Sequence, residues 1–439
     1  MDSFVGRVDE LRNLNGIYEK SPVACAICGR RHLGKSALVR EFCKDKAHIY
    51  LTGMYGLRSE NLREMAESIG RFTGKDVKLD DIIDLFPTLR SVCGRKKVVV
   101  VIDRFSDLVE NFPEVNSYLR SFMSREINST KIMLLVCDTD SSIFGRFYYT
   151  MDIRPMTYIE CKGFHPGYTS MQHFMVFSLV GGCPAYQRLF GENPDEAIRD
   201  QFFDHMSVFS LESEGMVNAE AMIRPACIKI LSAMADGAEN TKDIAARAEI
   251  SNALCNKLVD DLEHKGLLRK EVATGPSKRA VYSIDSYMLR FFYEVVNRYT
   301  HQVEFESPAD AYQRAKHDID AYLDRRFSEL CMDYITLNYD YSFVGKLRSK
   351  DDAKDKIVDF VASYTENGIR RTVIAACRLH GYTVTVEDYE RLAARGKGVD
   401  GANKMYMMFS GVGFSPELRT MASKDKNIRL LTLDDIYKS

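Results

Sequence analysis

The sequence of 439 residues has no apolar run close to the roughly 20 residues that a membrane helix requires, so no membrane span is expected. It has no surplus of either charge. Lys and Arg number 60 against 62 Asp and Glu, and the net charge of −2 gives no overall attraction to a polyanion such as nucleic acid. The opening Met1-Asp2-Ser3-Phe4-Val5-Gly6-Arg7 lacks an apolar core behind a basic start, so no secretory signal is expected. A disulfide framework is missing too: the 11 cysteines are odd in number, scattered, and often set in apolar runs. That pattern suits free buried thiols in a reducing cytoplasm. Cys25 and Cys28 do have C-x-x-C spacing, but they lie in the run Val23-Ala24-Cys25-Ala26-Ile27-Cys28. Strand alternation turns them to opposite faces, and no second C-x-x-C or histidine pair follows at zinc spacing. Both are expected to be core thiols. What is present, 45% hydrophobic and 28% charged residues, describes a soluble globular chain too long for one ordinary domain.

Gly29-Arg30-Arg31-His32-Leu33-Gly34-Lys35-Ser36 matches G-x-x-x-x-G-K-[ST] in full. The apolar run 23–28 precedes it as a strand, and Ala37-Leu38-Val39-Arg40-Glu41-Phe42 continues it as an amphipathic helix. That order is what phosphate binding requires. Glycines let backbone N–H groups approach the phosphates, and the helix N-terminus adds a favourable dipole. Lys35 is expected to neutralise the β- and γ-phosphates of ATP, and the Ser36 hydroxyl to ligate Mg²⁺. A second carboxylate is needed for the metal, and Lys97-Val98-Val99-Val100-Val101-Ile102-Asp103 is an apolar strand ending in an acid, as a central parallel strand should. Asp103 therefore takes the Walker B position. The next position commonly carries a water-polarising glutamate and here is Arg104, which accepts no proton. ATP binding is expected to survive this change and fast hydrolysis is not; Asp107, Asp138 and Asp140 are the acids near enough in sequence to substitute. Strands at His48–Thr52, 131–137 and 157–161 complete the expected sheet. At the end of the fourth, Thr139 is the candidate for a γ-phosphate sensor, with an ordinary strand-end turn as the alternative.

With these residues in hand, the chain resembles the archaeal-type P-loop ATPases of the AAA+/STAND group. Phe4-Val5-Gly6-Arg7-x-x-Glu10-Leu11 is similar to that family's opening motif, which implies Gly6 and Arg7 near the nucleotide. Gly181-Gly182-Cys183-Pro184-Ala185-Tyr186 is similar to its G-x-P motif, which implies a helical lid with Pro184 approaching adenine. Ser142-Ile143-Phe144-Gly145-Arg146 is similar to the stretch after the sensor. The fold expected is α/β: a P-loop parallel sheet over 1–163, a helical lid over 164–221, a winged helix-turn-helix over 222–300, and an α/β restriction-endonuclease-like domain over 310–439.

The winged segment rests on residues. Cys227–Met234 reads as one helix, Thr241 caps a second, Ser251 opens a third running to Lys265, and 266–270 with 280–284 form a hairpin around Gly275-Pro276. Such modules read DNA in many proteins. Between 222 and 286, however, ten Lys and Arg face nine Asp and Glu, and the third helix carries Asp260, Asp261 and Glu263. Basic residues gather on the wing instead, at Arg269, Lys270, Lys278 and Arg279. A packing and relay role is expected rather than sequence-specific reading.

For the C-terminal segment the resemblance implies a nuclease site of a helix Glu, a strand Asp and a Glu-x-Lys. Glu329 and Asp359 fall at the first two places and read as solvated acids. The last motif falls on Ala376 and Arg378, so one metal ligand is absent and the amine is replaced by a guanidinium. The expectation is a nuclease-like scaffold without nuclease activity. Strands at Lys404–Ser410 and 428–433 follow, with Ser415 and Pro416 opening a helix between them. Altogether the sequence points to a cytoplasmic, ATP-controlled switch. Its partners would be ATP or ADP with Mg²⁺, and a protein or second copy of the chain. The competing readings are an active ATP-dependent DNA-processing enzyme and a DNA-binding regulator.

Overall fold

In the computed structural model, residues 4–139, 147, 149–204, 206–209, 225–272, 280–299, 307–346 and 357–438 are described. The chain divides into two units, Met1–Gly163 with Gly182–Tyr186, and Phe164–Gly181 with Gln187–Ser439. No helix among the described residues is long and apolar enough to cross a membrane.

The first unit is built on five parallel strands, β1 (Val23–Cys28), β2 (His48–Thr52), β3 (Lys97–Asp103), β4 (Lys131–Asp138) and β5 (Tyr149–Asp152), in the order β2-β3-β4-β1-β5. The near-continuous apolar runs of β1, β3 and β4 follow from burial on both faces. One face packs Ala24, Ala26, Val98, Val100, Ile102 and Leu134 against Phe86, Phe105 and Phe122. The other packs Cys25, Ile27, Val99, Val101 and Leu135 against Leu38, Val39 and Phe42 of the helix Lys35–Cys43. Cys25 and Cys28 go to opposite faces, and both are buried thiols outside any disulfide. Burial pushes the Cys25 thiol up to about 12, with Cys28 adding to the rise, so it is an inert core group.

One strand is misplaced by sequence pattern. The fifth strand is Tyr149–Asp152, whereas Tyr158–Cys161 is a short helix. The reason is a capping box. The Thr157 hydroxyl accepts from the Glu160 N–H at 3.2 Å and the Glu160 carboxylate accepts from the Thr157 N–H at 2.8 Å.

In the second unit, helices Pro225–Ala235, Thr241–Arg247 and Asn252–His264 precede an antiparallel hairpin of β6 (Leu268–Val272) and β7 (Ala280–Ile284). The N-cap of the second helix is Asn240, not Thr241: the Asn240 carbonyl oxygen of the side chain accepts from the Asp243 N–H at 3.0 Å, which makes Thr241 the first helical residue. Ser251 caps the third helix as expected. The turn Gly275-Pro276 and the basic pair Lys278 and Arg279 lie outside the described residues.

A separate five-stranded sheet closes the chain: β8 (Asp340–Lys346), β9 (Phe360–Glu366), β10 (Ile369–Arg378), β11 (Lys404–Ser410) and β12 (Ile428–Thr432). β8, β9 and β10 pair antiparallel, while β10, β11 and β12 pair parallel. The parallel steps are crossed by helices Val386–Gly396 and Pro416–Lys424, the latter with Ser415 as N-cap and Pro at its first position. The 31-residue helix Pro308–Asn338 leads into this sheet.

Candidate nucleotide-binding site

The loop after β1 has the backbone that its sequence requires. Gly29 has φ 146° and Gly34 has φ 85°. A Cβ at Gly29 would lie 2.5 Å from the Ile153 carbonyl oxygen, so only glycine lets the loop start there. His32 also takes a left-handed conformation, at φ 64°. Gly34 is the N-cap of the helix Lys35–Cys43, which puts Ser36 and Ala37 in its first turn, where N–H groups are unpaired within the helix. The Lys35 ammonium donates to the carbonyls of Gly29 at 2.5 Å and Arg30 at 2.8 Å, curling the side chain back over the loop. Burial pushes its pKa below the ordinary lysine value, opposed by Cys137, Asp138 and Asp103. Those opposing groups are the ends of β3 and β4, so the ammonium and the strand-end acids share one place.

Asp103 is buried at the carboxyl end of β3. Its Oδ1 accepts the Arg104 N–H at 3.0 Å and its Oδ2 accepts the Tyr50 hydroxyl at 2.6 Å. A carboxylate so fixed, a half-buried lysine and a glycine cradle at a helix N-terminus form a donor set that fits a nucleotide triphosphate with a hard divalent cation. Ser36 and Asp103 would hold Mg²⁺.

The other predicted residues are placed as follows. Arg7 reaches the loop itself. Its guanidinium is buried, donating to the Leu33 carbonyl at 3.1 Å and the Arg154 carbonyl at 2.7 Å, and pairing with Glu10 at 2.8 Å. Gly6 and Arg7 are both left-handed, at φ 68° and 58°, and Gly6 packs against Met156. Arg7 is therefore a brace that ties the N-terminal turn to the loop. Pro184 does meet the loop, with its Cγ 3.6 Å from where a Gly34 Cβ would be. The same segment is anchored by the Met156 N–H donating to the Gly182 carbonyl at 2.8 Å and by the Cys183 thiol donating to the His32 carbonyl at 3.3 Å. The His32 ring lies 5.6 Å from that of Tyr186. Arg31 is exposed and Leu33 buried.

Thr139 is exposed, and both its N–H and hydroxyl donate to Asp138 Oδ1, at 2.5 and 3.2 Å. Asp138 in turn accepts from the N–H and hydroxyl of Ser106, the hydroxyl at 2.5 Å, and so anchors the helix Phe105–Asn111. Asp138 thus holds the first turn of that helix. Arg104 has φ 56°, is the N-cap of that helix, and pairs with Asp107 at 2.5 Å. Asp107, considered above as a replacement base, is thus the ion-pair partner of Arg104. Asp140 and the stretch 142–146 lie outside the described residues.

In the second unit Glu329 is not a solvated acid. Its carboxylate takes Arg290 at 2.9 Å, Arg326 at 2.9 Å and Lys346 at 3.1 Å, with its side chain 17% exposed. Burial opposes its ionisation, but Arg290 and Lys346 outweigh burial and hold its pKa below the ordinary glutamate value. Arg290 also donates to the Ile284 carbonyl at the end of β7 at 2.8 Å, so this carboxylate fastens the hairpin region to the long helix. Asp359 precedes β9, and its Oδ2 accepts the Cys377 N–H at 2.7 Å. Ala376 packs into the sheet core, and the Arg378 guanidinium lies 5.5 Å from the Tyr382 ring. In the third helix, Asp260 and Asp261 are exposed.

Asp333, one turn beyond Glu329, gives a pH prediction. Burial first, and then the Glu329 charge, raise its pKa to about 7 from 3.8. Between those values the unfolded chain loses a proton that the folded protein keeps. Stability therefore falls as pH rises through this window and stays lowered above it. Asp333→Asn removes that penalty. Its melting temperature is expected to match wild type near pH 4 and to exceed it by several °C at pH 8, since a carboxyl raised from 3.8 to about 7 corresponds to up to ~4 kcal/mol. Equal melting curves at both pH values would contradict the buried-acid account.

The strand order, the loop and the acid at the end of β3 define a P-loop nucleotide-binding fold. The solved Walker-type ATPase PABY2304 of Pyrococcus abyssi has the same fold at a TM-score of 0.52 and 16% identity, over 66% of this chain and 96% of that one. No family model matches the chain. An uncharacterized Methanocaldococcus jannaschii protein, MJECL04, is 20% identical over 359 residues, 76% of this chain and 77% of its own length. Another from that organism, MJ0424, is 32% identical over 93 residues, 20% of this chain and 90% of its own length. The chain belongs to the same family as MJ0424.

Proposed function

We propose that the protein is an ATP-binding switch of the AAA+/STAND type, which holds ATP with Mg²⁺ in the loop 29–36 and turns it over slowly. The observation that carries this reading is the joint placement of Lys35, the strand-end acids and the segment 182–186 around one glycine cradle. Lys35 would exchange its loop carbonyls for β- and γ-phosphate oxygens, and backbone N–H groups of Ser36 and Ala37 would bind phosphate at the helix N-terminus. When bound, Mg²⁺ would supply charge neutralisation across the phosphates. Ser36 and Asp103 would hold it, and Pro184 and Tyr186 would cover the loop. Thr139 is retained as the candidate sensor of the terminal phosphate.

Slow turnover follows from Arg104 and its ion pair with Asp107, since neither group is free to accept a proton from water. The switch follows from chain continuity. Residues 182–186 contact the loop, and the chain on both sides of them belongs to the second unit. A nucleotide that reseats Pro184 therefore pulls on that unit directly. We assign 1–163 to the ATPase domain, 164–221 to the lid, 222–300 to a winged helix and 310–439 to a restriction-endonuclease-like domain. The last is read as inactive, because Ala376 carries no ligand and Glu329 is saturated by cations. The winged helix is read as a relay, because its third helix exposes acids; the protein would then act on a protein partner or a second copy, in the cytoplasm.

Two measurements test this. Calorimetry should detect ATP binding that Mg²⁺ strengthens. Incubation of plasmid and single-stranded DNA with Mg²⁺ or Mn²⁺ should give no cleavage above buffer. Cleavage that disappears in Asp359→Ala would establish the DNA-processing reading instead.

A further inference from the structure

Asp103 is the acid the nucleotide site depends on, yet nothing in the loop motif explains how its carboxylate is aimed. The strand register does. β2 pairs with β3 so that Thr52 lies beside Asp103 and Tyr50 beside Val101. Residues two apart on a strand share a face, so Tyr50 and Asp103 project to the same side. That side is the one on which Tyr50, Val99 and Val101 pack with Leu38 and Val39 of the P-loop helix. The Tyr50 hydroxyl donates to Asp103 Oδ2 at 2.6 Å, while the Arg104 N–H donates to Oδ1 at 3.0 Å. Each oxygen is thus held by one donor, and rotation of the carboxylate breaks both bonds. Arg40, one turn along the helix from Ser36, places its guanidinium 5.5 Å from the centre of the Tyr50 ring. A continuous set of contacts therefore runs from the P-loop helix through Arg40 and Tyr50 to Asp103.

We infer that Tyr50 is a positioning residue for the metal: it sets the orientation of the Asp103 carboxylate and so the affinity of the ATP site for Mg²⁺. The inference rests on the loop 29–36 being an ATP·Mg²⁺ site. Tyr50 touches neither nucleotide nor metal in this role. It acts by pre-paying the ordering of Asp103, as outer partners of metal ligands do, and loss of such a partner typically lowers metal affinity ~10–100-fold. The phenol suits the task because it is held half-buried in the sheet with its hydroxyl on Asp103 Oδ2. A phenylalanine keeps the ring and the Arg40 contact and removes the donor alone.

The test is Tyr50→Phe in the full chain, with ATP affinity measured in EDTA and then across a MgCl₂ titration. The expected result is unchanged affinity in EDTA, within about two-fold, and a Mg²⁺ requirement raised ~10-fold or more. Asp103→Asn should abolish the Mg²⁺-dependent gain, and adding Tyr50→Phe to it should change nothing further, since the two residues act as one unit. A merely structural tyrosine would instead lower affinity equally with and without Mg²⁺. That outcome, an unchanged Mg²⁺ titration, or an additive double variant would each overturn the assignment. Should wild type fail to bind ATP at all, the reading of the loop is overturned and the role of Tyr50 falls with it.

Discussion

Lys35→Ala is expected to lose ATP affinity by at least ~10²-fold while keeping its fold. The side chain ends at the carbonyls of Gly29 and Arg30, which it would exchange for phosphate oxygens on binding. In the proposed complex its ammonium would be the main side-chain counter-charge to the phosphates. Hydrogen bonds to charged groups contribute ~1.5–3 kcal/mol each, and two of them correspond to ~10²–10⁴-fold in affinity. The folded state loses little, because the lysine reaches only loop carbonyls and its burial already disfavours the charge. Calorimetry on the variant, beside a melting curve, checks both halves. Undiminished affinity in a folded variant would remove the loop from the account.

Wild-type turnover is expected to be slow, and Arg104→Glu is expected to raise it with little change in ATP affinity. Loss of a positioned general base costs ~10²–10⁴-fold in rate, and the group acts chiefly on the transition state. The structure adds a second requirement. Arg104 is paired to Asp107 at 2.5 Å, with Asp107 the more buried of the two. A glutamate at 104 would meet that carboxylate as a like charge and leave it without its cation. Arg104→Glu with Asp107→Asn should therefore exceed the single variant in rate. Steady-state phosphate release from the three proteins gives the order directly. A single variant no faster than wild type, together with an equally slow double variant, would mean that the arginine is structural or that activation requires a second chain.

Much of this site was legible because it is local. Gly29 to Ser36 is one contiguous motif flanked by a strand and a helix, and the run 97–103 ending in Asp103 is apolar enough to be read as a buried strand. The fifth strand was missed because 157–161 is also apolar. The signal that separates them was nevertheless present, as Thr157 and Glu160 at capping-box spacing. The Arg104–Asp107 pair, too, is three residues apart on a helix and open to inference. Tyr50 was not. Its bond to Asp103 depends on β2 lying beside β3 in one register, and neither adjacency nor register is written in either strand alone. The same holds for Glu329, whose cations come from Arg290 and Lys346 as well as its own helix. The partners of Arg7 were not legible either, because a motif fixes where a guanidinium lies and not which carbonyls it finds.

The most direct test of the switch is ATP binding and ATP turnover measured side by side on one preparation of the full chain. Tight, Mg²⁺-strengthened binding is predicted, with turnover on the order of 10⁻² s⁻¹ or less, well under the usual enzyme range. Absence of binding, or turnover of order one per second, would contradict it.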